Sequence, residues 1–258
     1  MALGTNNTLP PYEDIDDGPW EDVLEPANLV FAGQSIVCEA TTSTPLYKMN
    51  WDVTSIPQKG TSVVFERVKY DPPETAESTA PTKQQNQHLF YLAHPAGAQY
   101  RTDSPAYYIT SVSPVALGNI TLETSKSKIG KIEFKALLSA KKSASDSPLF
   151  DEKPEPLFDA KPKWMGGRFT WTDPDGKQVA YEDEKSAKHR LVVTAAMRRE
   201  MRDALAATWC LRLWHDTAER REAKRDGMER LTPADCMQGY GDMKLAKRVG
   251  ALAALGGA

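Results

Sequence analysis

The sequence predicts a mainly β protein with C-terminal helices, in which a closed antiparallel barrel of about eleven or twelve strands surrounds one central apolar α-helix. Three observations lead there. About eleven short runs rich in β-branched and aromatic residues, each stopped by Gly, Pro, Asn or Asp, follow one another from Leu29 to Ala195. A helix of about thirty residues is expected over 194–226, where good helix formers run without Pro or Gly. Within it, the stretch ALAATWCLRLW from Ala204 to Trp214 is apolar nearly all round, interrupted only by Thr208 and Arg212. A helix apolar on every side has to be surrounded. This stretch rises roughly 16 Å, half of what a membrane core requires, so the surroundings are expected to be protein. A sandwich leaves no space for a helix between its sheets, whereas a closed barrel of this many strands does.

In chain order, residues 1–28 carry seven acidic and no basic groups and few apolar ones, and read as a disordered acidic tail. Residues 29–226 read as the barrel with its helix. The strand candidates are LVF and SIVCEA between Leu29 and Ala40, PLYKMNW from Pro45, TSVVFERVKY from Thr61, HLFYLAH from His88 and AYYITSV from Ala106. They continue with GNITLET from Gly118, GKIEFKALL from Gly130, GRFTWTD from Gly167, QVAYEDE from Gln178 and HRLVVTA from His189. The Asp-Gly of TDPDGK, Thr172 to Lys177, is the strongest hairpin signal.

Two polar interruptions, 71–86 and 139–163, lack either periodicity and read as mobile insertions. The second contains an echo, PLFDEKP at Pro148 and PLFDAKP at Pro156. Leu149, Phe150, Leu157 and Phe158 are therefore candidates for a doubled docking motif for a protein partner. The simpler reading, that these pairs cover nearby apolar surface, is favoured, because short repeats are weak signals.

Thr194 is available as the helix cap, and Met197 and Met201 begin the helix among Arg198, Arg199 and Arg202. Ala204, Leu205, Ala207, Trp209, Cys210, Leu211, Leu213 and Trp214 form the enclosed part. If it is enclosed, Arg212 must reach a carboxylate, carbonyls or the barrel mouth, and the expectation is that it reaches the rim. Trp51, Trp164, Trp171, Trp209 and Trp214 read as core and closure residues. The charged continuation beyond His215 reads as solvated. Residues 227–258 read as a helical extension, in which Lys244, Lys247 and Arg248 beside Leu245, Val249 and Leu252 are candidate membrane-surface residues.

This order of strands and the terminal apolar helix resemble the Tubby C-terminal-like superfamily, shared by Tubby, LURP-one-related and phospholipid scramblase proteins, and particularly its fungal members. The resemblance is carried by GQSIVCEATTSTPLYKM at Gly33, SVVFERVKY at Ser62, HLFYLAHP at His88, GRFTWTDPDGK at Gly167 and MRDALAATWCLRLW at Met201. It covers roughly residues 28–216. In the family the apolar helix usually ends the chain, whereas here about forty residues follow it. The positions through which Tubby binds phosphoinositides do not transfer residue by residue.

Among function classes, catalysis finds little support. His88, His94, His189 and His215 lack helix-ligand spacing, and there is no HExxH, GxSxG, P-loop or GxGxxG motif. Cys38, Cys210 and Cys236 lack CxxC spacing, so neither a disulfide framework nor a metal site is expected, and no cofactor is implied. With 32 Lys+Arg against 35 Asp+Glu, nucleic acid is not an expected partner. No run of about 18 apolar residues predicts a transmembrane helix. A cytoplasmic or nuclear protein, peripheral at a membrane, is the expectation. Its leading function is a non-enzymatic binding or adaptor module for anionic, phosphoinositide-like lipid headgroups. The alternatives are a protein-interaction scaffold using the PLFD loop and an enzyme with an unrecognised site.

Overall fold

Short amphipathic strands leave one apolar face each, and a meander of twelve can bury all of those faces around a helix by closing on itself. The computed structural model describes residues 23–41, 44–55, 61–70, 84–95, 98, 105–126, 131–163, 169–183 and 188–231. Its strands are β1 (Val23–Leu24), β2 (Ala27–Ala32), β3 (Ser35–Cys38), β4 (Pro45–Met49), β5 (Ser62–Tyr70), β6 (Gln84–Ala93) and β7 (Tyr108–Ser111). They continue with β8 (Asn119–Lys126), β9 (Ile132–Ser139), β10 (Glu155–Pro162), β11 (Phe169–Thr172), β12 (Gln178–Asp183), β13 (Arg190–Val193) and β14 (Met197–Arg198). One helix follows, α1 (Arg199–Leu231).

From β2 to β13 every strand pairs antiparallel with its sequence neighbours, and β13 pairs with β2 to close a twelve-stranded barrel. Closure removes every open edge from the wall. The helix α1 returns through the bore. Every residue from Arg202 to His215 is buried, including all eight of the predicted enclosed residues. These four turns, about 21 Å, have no solvent-facing side. Inward positions of the wall, such as Val63 and Phe65 of β5, Leu92 of β6 and Ile109 of β7, meet the helix as one apolar core. Small Ala204, Ala206 and Ala207 alternate in that core with bulky Leu205, Trp209 and Leu211, so the helix fills the bore without overpacking.

All eleven strand candidates are strands. The twelfth, β10, lies inside the segment expected to be a mobile insertion at 139–163. Leu157 and Phe158, 4% and 2% exposed, are core residues of the wall and are not available to a partner. The first copy is different. Leu149 and Phe150 are half-buried, with Phe150 edge-on to Tyr108 at 5.5 Å. Their loop is tied down by Asn119, whose Nδ2 donates to the carbonyls of Ser143 (2.9 Å) and Leu149 (2.7 Å). Gly118 permits this approach. At φ +126° a Cβ there would lie 2.4 Å from the Ser139 carbonyl oxygen, a position that only glycine tolerates.

Other boundaries also differ. The structured chain starts before Leu29, because β1 pairs with β14 and β2 begins at Ala27; residues 1–22 lie outside the described residues. Gln84–Asn86, assigned to the first insertion, belong to β6 opposite Val68–Tyr70, while 71–83 lie outside the described residues. Thr194 is not the helix cap: its N–H donates to the Val179 carbonyl (2.9 Å), and pairing with β1 holds Met197–Arg198 extended. The helix passes Gly227 to Leu231, since one glycine costs a helix only about 1 kcal/mol; residues 232–258, including Lys244, Lys247 and Arg248, are not described. Trp51 is 48% exposed and is not a core residue, whereas Trp171, Trp209 and Trp214 are buried; Trp164 lies outside the described residues. The hairpin at Asp173–Lys177 forms as expected, with Gly176 at φ +79° and the Gly176 N–H donating to the Asp173 carbonyl (3.0 Å).

Candidate functional site

Polar side chains on the enclosed helix fall at its two ends, apart from Thr208, whose hydroxyl donates to the Ala204 carbonyl (2.7 Å). Each end is thereby a mouth of the barrel carrying charge beside an apolar plug.

At the mouth near the start of the helix, Asp203 is wholly buried. It accepts hydrogen bonds from the Tyr47 hydroxyl (2.8 Å) and from Arg67 Nη1 (2.7 Å). Arg67 Nη2 donates to Gln87 Oε1 (2.7 Å), and Gln87 Nε2 reaches Ser113 Oγ at 3.4 Å. Arg67 occupies the next inward position of β5 after Val63 and Phe65, which aims a guanidinium into the bore where an apolar side chain would otherwise sit. Burial raises the pKa of Asp203 above the usual carboxylate range, opposed by the charge of Arg67 and the Tyr47 hydrogen bond. Burial also raises Tyr47, helped by the Asp203 charge, and lowers Arg202.

Arg202 donates from Nη2 to the Leu24 carbonyl (2.9 Å) and to that of Glu25, and so straps the β1 segment across the mouth. Two hollows adjoin there. One, about 390 Å³, lies between the strap, Tyr47, Arg67, Arg202 and Asp203. The other, about 1000 Å³, is an open groove containing Arg67, Lys69, Arg199 and Glu200 beside apolar Tyr70 and Val115. Arg67, Val68 and Arg199 line both. Glu200 pairs with Arg198 at 3.3 Å. The Nε atoms of Arg67 and Arg202, in side chains about nine-tenths buried or more, find no hydrogen-bond partner among the described residues. The helix α1 begins at Arg199, which lines both hollows, so the positive end of its dipole lies there.

At the opposite mouth, Arg212 is 3% exposed and bonds Glu182 (2.5 Å) and Asp216 (2.6 Å). It therefore does not reach out to the rim as expected: the buried carboxylate of Glu182 and the partly exposed one of Asp216 neutralise it in place, and Phe169 stacks on its guanidinium at 4.4 Å. Glu182 also accepts from Trp171 Nε1 (3.1 Å). Burial alone would raise Asp216, but His215 and Arg212 outweigh it and lower its pKa. A hollow of about 150 Å³ is lined by His94, Tyr107, His215, Glu219 and Glu222. His94 stacks on Tyr107 at 4.1 Å, with its Nδ1 2.7 Å from the Ala106 carbonyl oxygen.

The other histidines lie apart from this pair. His88 Nε2 is 3.0 Å from the Phe90 carbonyl oxygen, and His189 is edge-on to Phe31. Among the described residues no group of three or more His, Cys, Asp or Glu side chains is placed to hold a metal ion, and no helix is long and apolar enough to cross a membrane. Cys210 is buried, and burial pushes its thiol pKa far up, so it packs as a small hydrophobe and is not activated as a thiolate.

The sequence reading singled out none of Tyr47, Arg67, Lys69, Gln87 and Asp203. Arg67 was the visible signal, a charge at an inward-facing position of an otherwise apolar alternation. Compared with protein-family models, with curated proteins and with solved structures, the chain finds no match, so its fold and the two charged mouths are what a functional reading rests on.

Proposed function

We propose that this protein is a non-enzymatic binding module of the Tubby-like kind that takes anionic headgroups, foremost those of phosphoinositide-like lipids, at the mouth where the central helix begins. The closed wall around a helix is the architecture expected of that superfamily and supports the assignment. The observation that carries the ligand class is the pair of hollows sharing Arg67 and Arg199, with Lys69 and Arg202 beside them and exposed Val115 and Tyr70 on the rim. Guanidinium and ammonium groups beside helix amides suit a phosphate, and the apolar rim suits an acyl region next to it.

Co-sedimentation with phosphatidylcholine vesicles, with and without a phosphoinositide, tests this reading. Binding is expected only with the phosphoinositide and should weaken with salt. The variant Lys69→Gln/Arg199→Gln alters the groove while leaving the buried Arg67–Asp203 pair intact. At about 1 kcal/mol per basic residue near an anionic surface, it should bind roughly thirtyfold more weakly. Equal sedimentation on both vesicle types would remove the proposal. Loss of binding only in Lys244→Gln/Lys247→Gln/Arg248→Gln would move the site to the C-terminal segment.

A further inference from the structure

We infer that the basic groove at this mouth is a docking surface for the chain's own acidic segment, Glu13 to Asp22, which competes there with external anions. The inference rests on reading the mouth as an anion site, but not on that anion being a lipid.

Charge complementarity is the first support. Arg67 at the inner end of the groove is already paired with Asp203 at 2.7 Å, and beyond it Lys69 and Arg199 line the groove beside one carboxylate, Glu200, which Arg198 engages at 3.3 Å. Residues 13–22 read EDIDDGPWED, six carboxylates and no basic group. The apolar parts match as well. Tyr70 and Val115 in the groove are 36% and 47% exposed, and the segment brings Ile15 and Trp20 among its acids.

Attachment is the second support. Val23 pairs with Arg198 and Leu24 with Met197, so Val23 is the end of the strap nearer to Arg199 in this antiparallel register. Arg202 fixes this exit point through the Leu24 and Glu25 carbonyls. Ten residues extend at most about 35 Å, ample to run along a groove that begins at Arg199. So short a tether gives an effective concentration in the millimolar range. The segment is thus held beside the surface that complements it, and an external anion must displace it.

Zero-length carbodiimide cross-linking of the full chain, read by peptide mass spectrometry, tests the contact, because Lys69 supplies an amine within the groove. Lys69 should be joined to a carboxylate within 13–22, independently of protein concentration, and the product should fall away at high salt. Lys69 recovered unlinked, linked only elsewhere, or linked in proportion to concentration would overturn the inference.

A second arm uses the full chain carrying Glu13→Gln, Asp14→Asn, Asp16→Asn, Asp17→Asn, Glu21→Gln and Asp22→Asn. This variant should lose the cross-link and bind phosphoinositide vesicles several-fold more tightly than the parent. Unchanged vesicle affinity in a chain that binds would overturn the competition. If neither chain binds vesicles but the Lys69 cross-link forms, the lipid reading falls and the docked segment stands.

Discussion

Ala207→Asp should yield no soluble folded protein. Ala207 has no exposed surface and lies midway along the enclosed stretch, with the apolar wall around it. A carboxylate placed there meets neither water nor a cation, since Arg202 and Arg212 are already engaged more than a helical turn away. An unpaired buried charge, together with the added bulk, costs at least several kcal/mol, and domains are stable by only about 5–15 kcal/mol. Arg220→Asp, on the exposed continuation of the same helix, should remain soluble with an unchanged circular dichroism spectrum. Soluble, folded Ala207→Asp would mean that one side of this stretch reaches water.

Arg212→Met should lower stability by about 3–5 kcal/mol, the usual cost of removing one partner from a buried ion pair. Methionine preserves much of the volume against Phe169, but Glu182, 6% exposed, keeps a charge that no longer faces the guanidinium. Glu182→Gln added to this variant should recover a large part of the loss, because a neutral amide can remain beside Trp171 Nε1 at far lower desolvation cost. Urea unfolding of the parent, Arg212→Met, Glu182→Gln and the double variant measures the coupling. A double variant no more stable than Arg212→Met would mean that the loss comes from packing and not from the stranded charge.

The barrel was legible because its physics is local. Each strand must alternate and be stopped, and Val63, Phe65 and Arg67 against Val64 and Glu66 show that alternation in the sequence as they do in β5. The enclosed helix was legible from the same reasoning at the other period. The strand β10 escaped because Pro156 and Pro162 demote a run; in the wall they occupy the places a sheet allows, a register shift between Pro156 and Phe158 and the strand end. The helix start was misplaced because Met197–Arg198 are held extended by Val23–Leu24, more than 170 positions away.

The same distance hid the site. Nothing near Asp203 in sequence announces Tyr47 or Arg67, and only closure of the barrel brings β4, β5 and the helix together. Arg212 shows the converse: its need for a counter-charge was plain, while Glu182 as the partner depended on β12 facing that turn of the helix.

That a wall of strands encloses Ala204–Trp214 is tested most directly by the thiol within it. Cys210 has no exposed surface, whereas Cys38 is partly exposed. With an alkylating reagent on the native full chain, and each cysteine quantified by peptide mass spectrometry, Cys38 should react readily. Cys210 should stay protected, its slow modification following the global unfolding rate as urea is raised. Cys210 reacting as fast as Cys38 in a chain that retains its folded spectrum would contradict the enclosed helix.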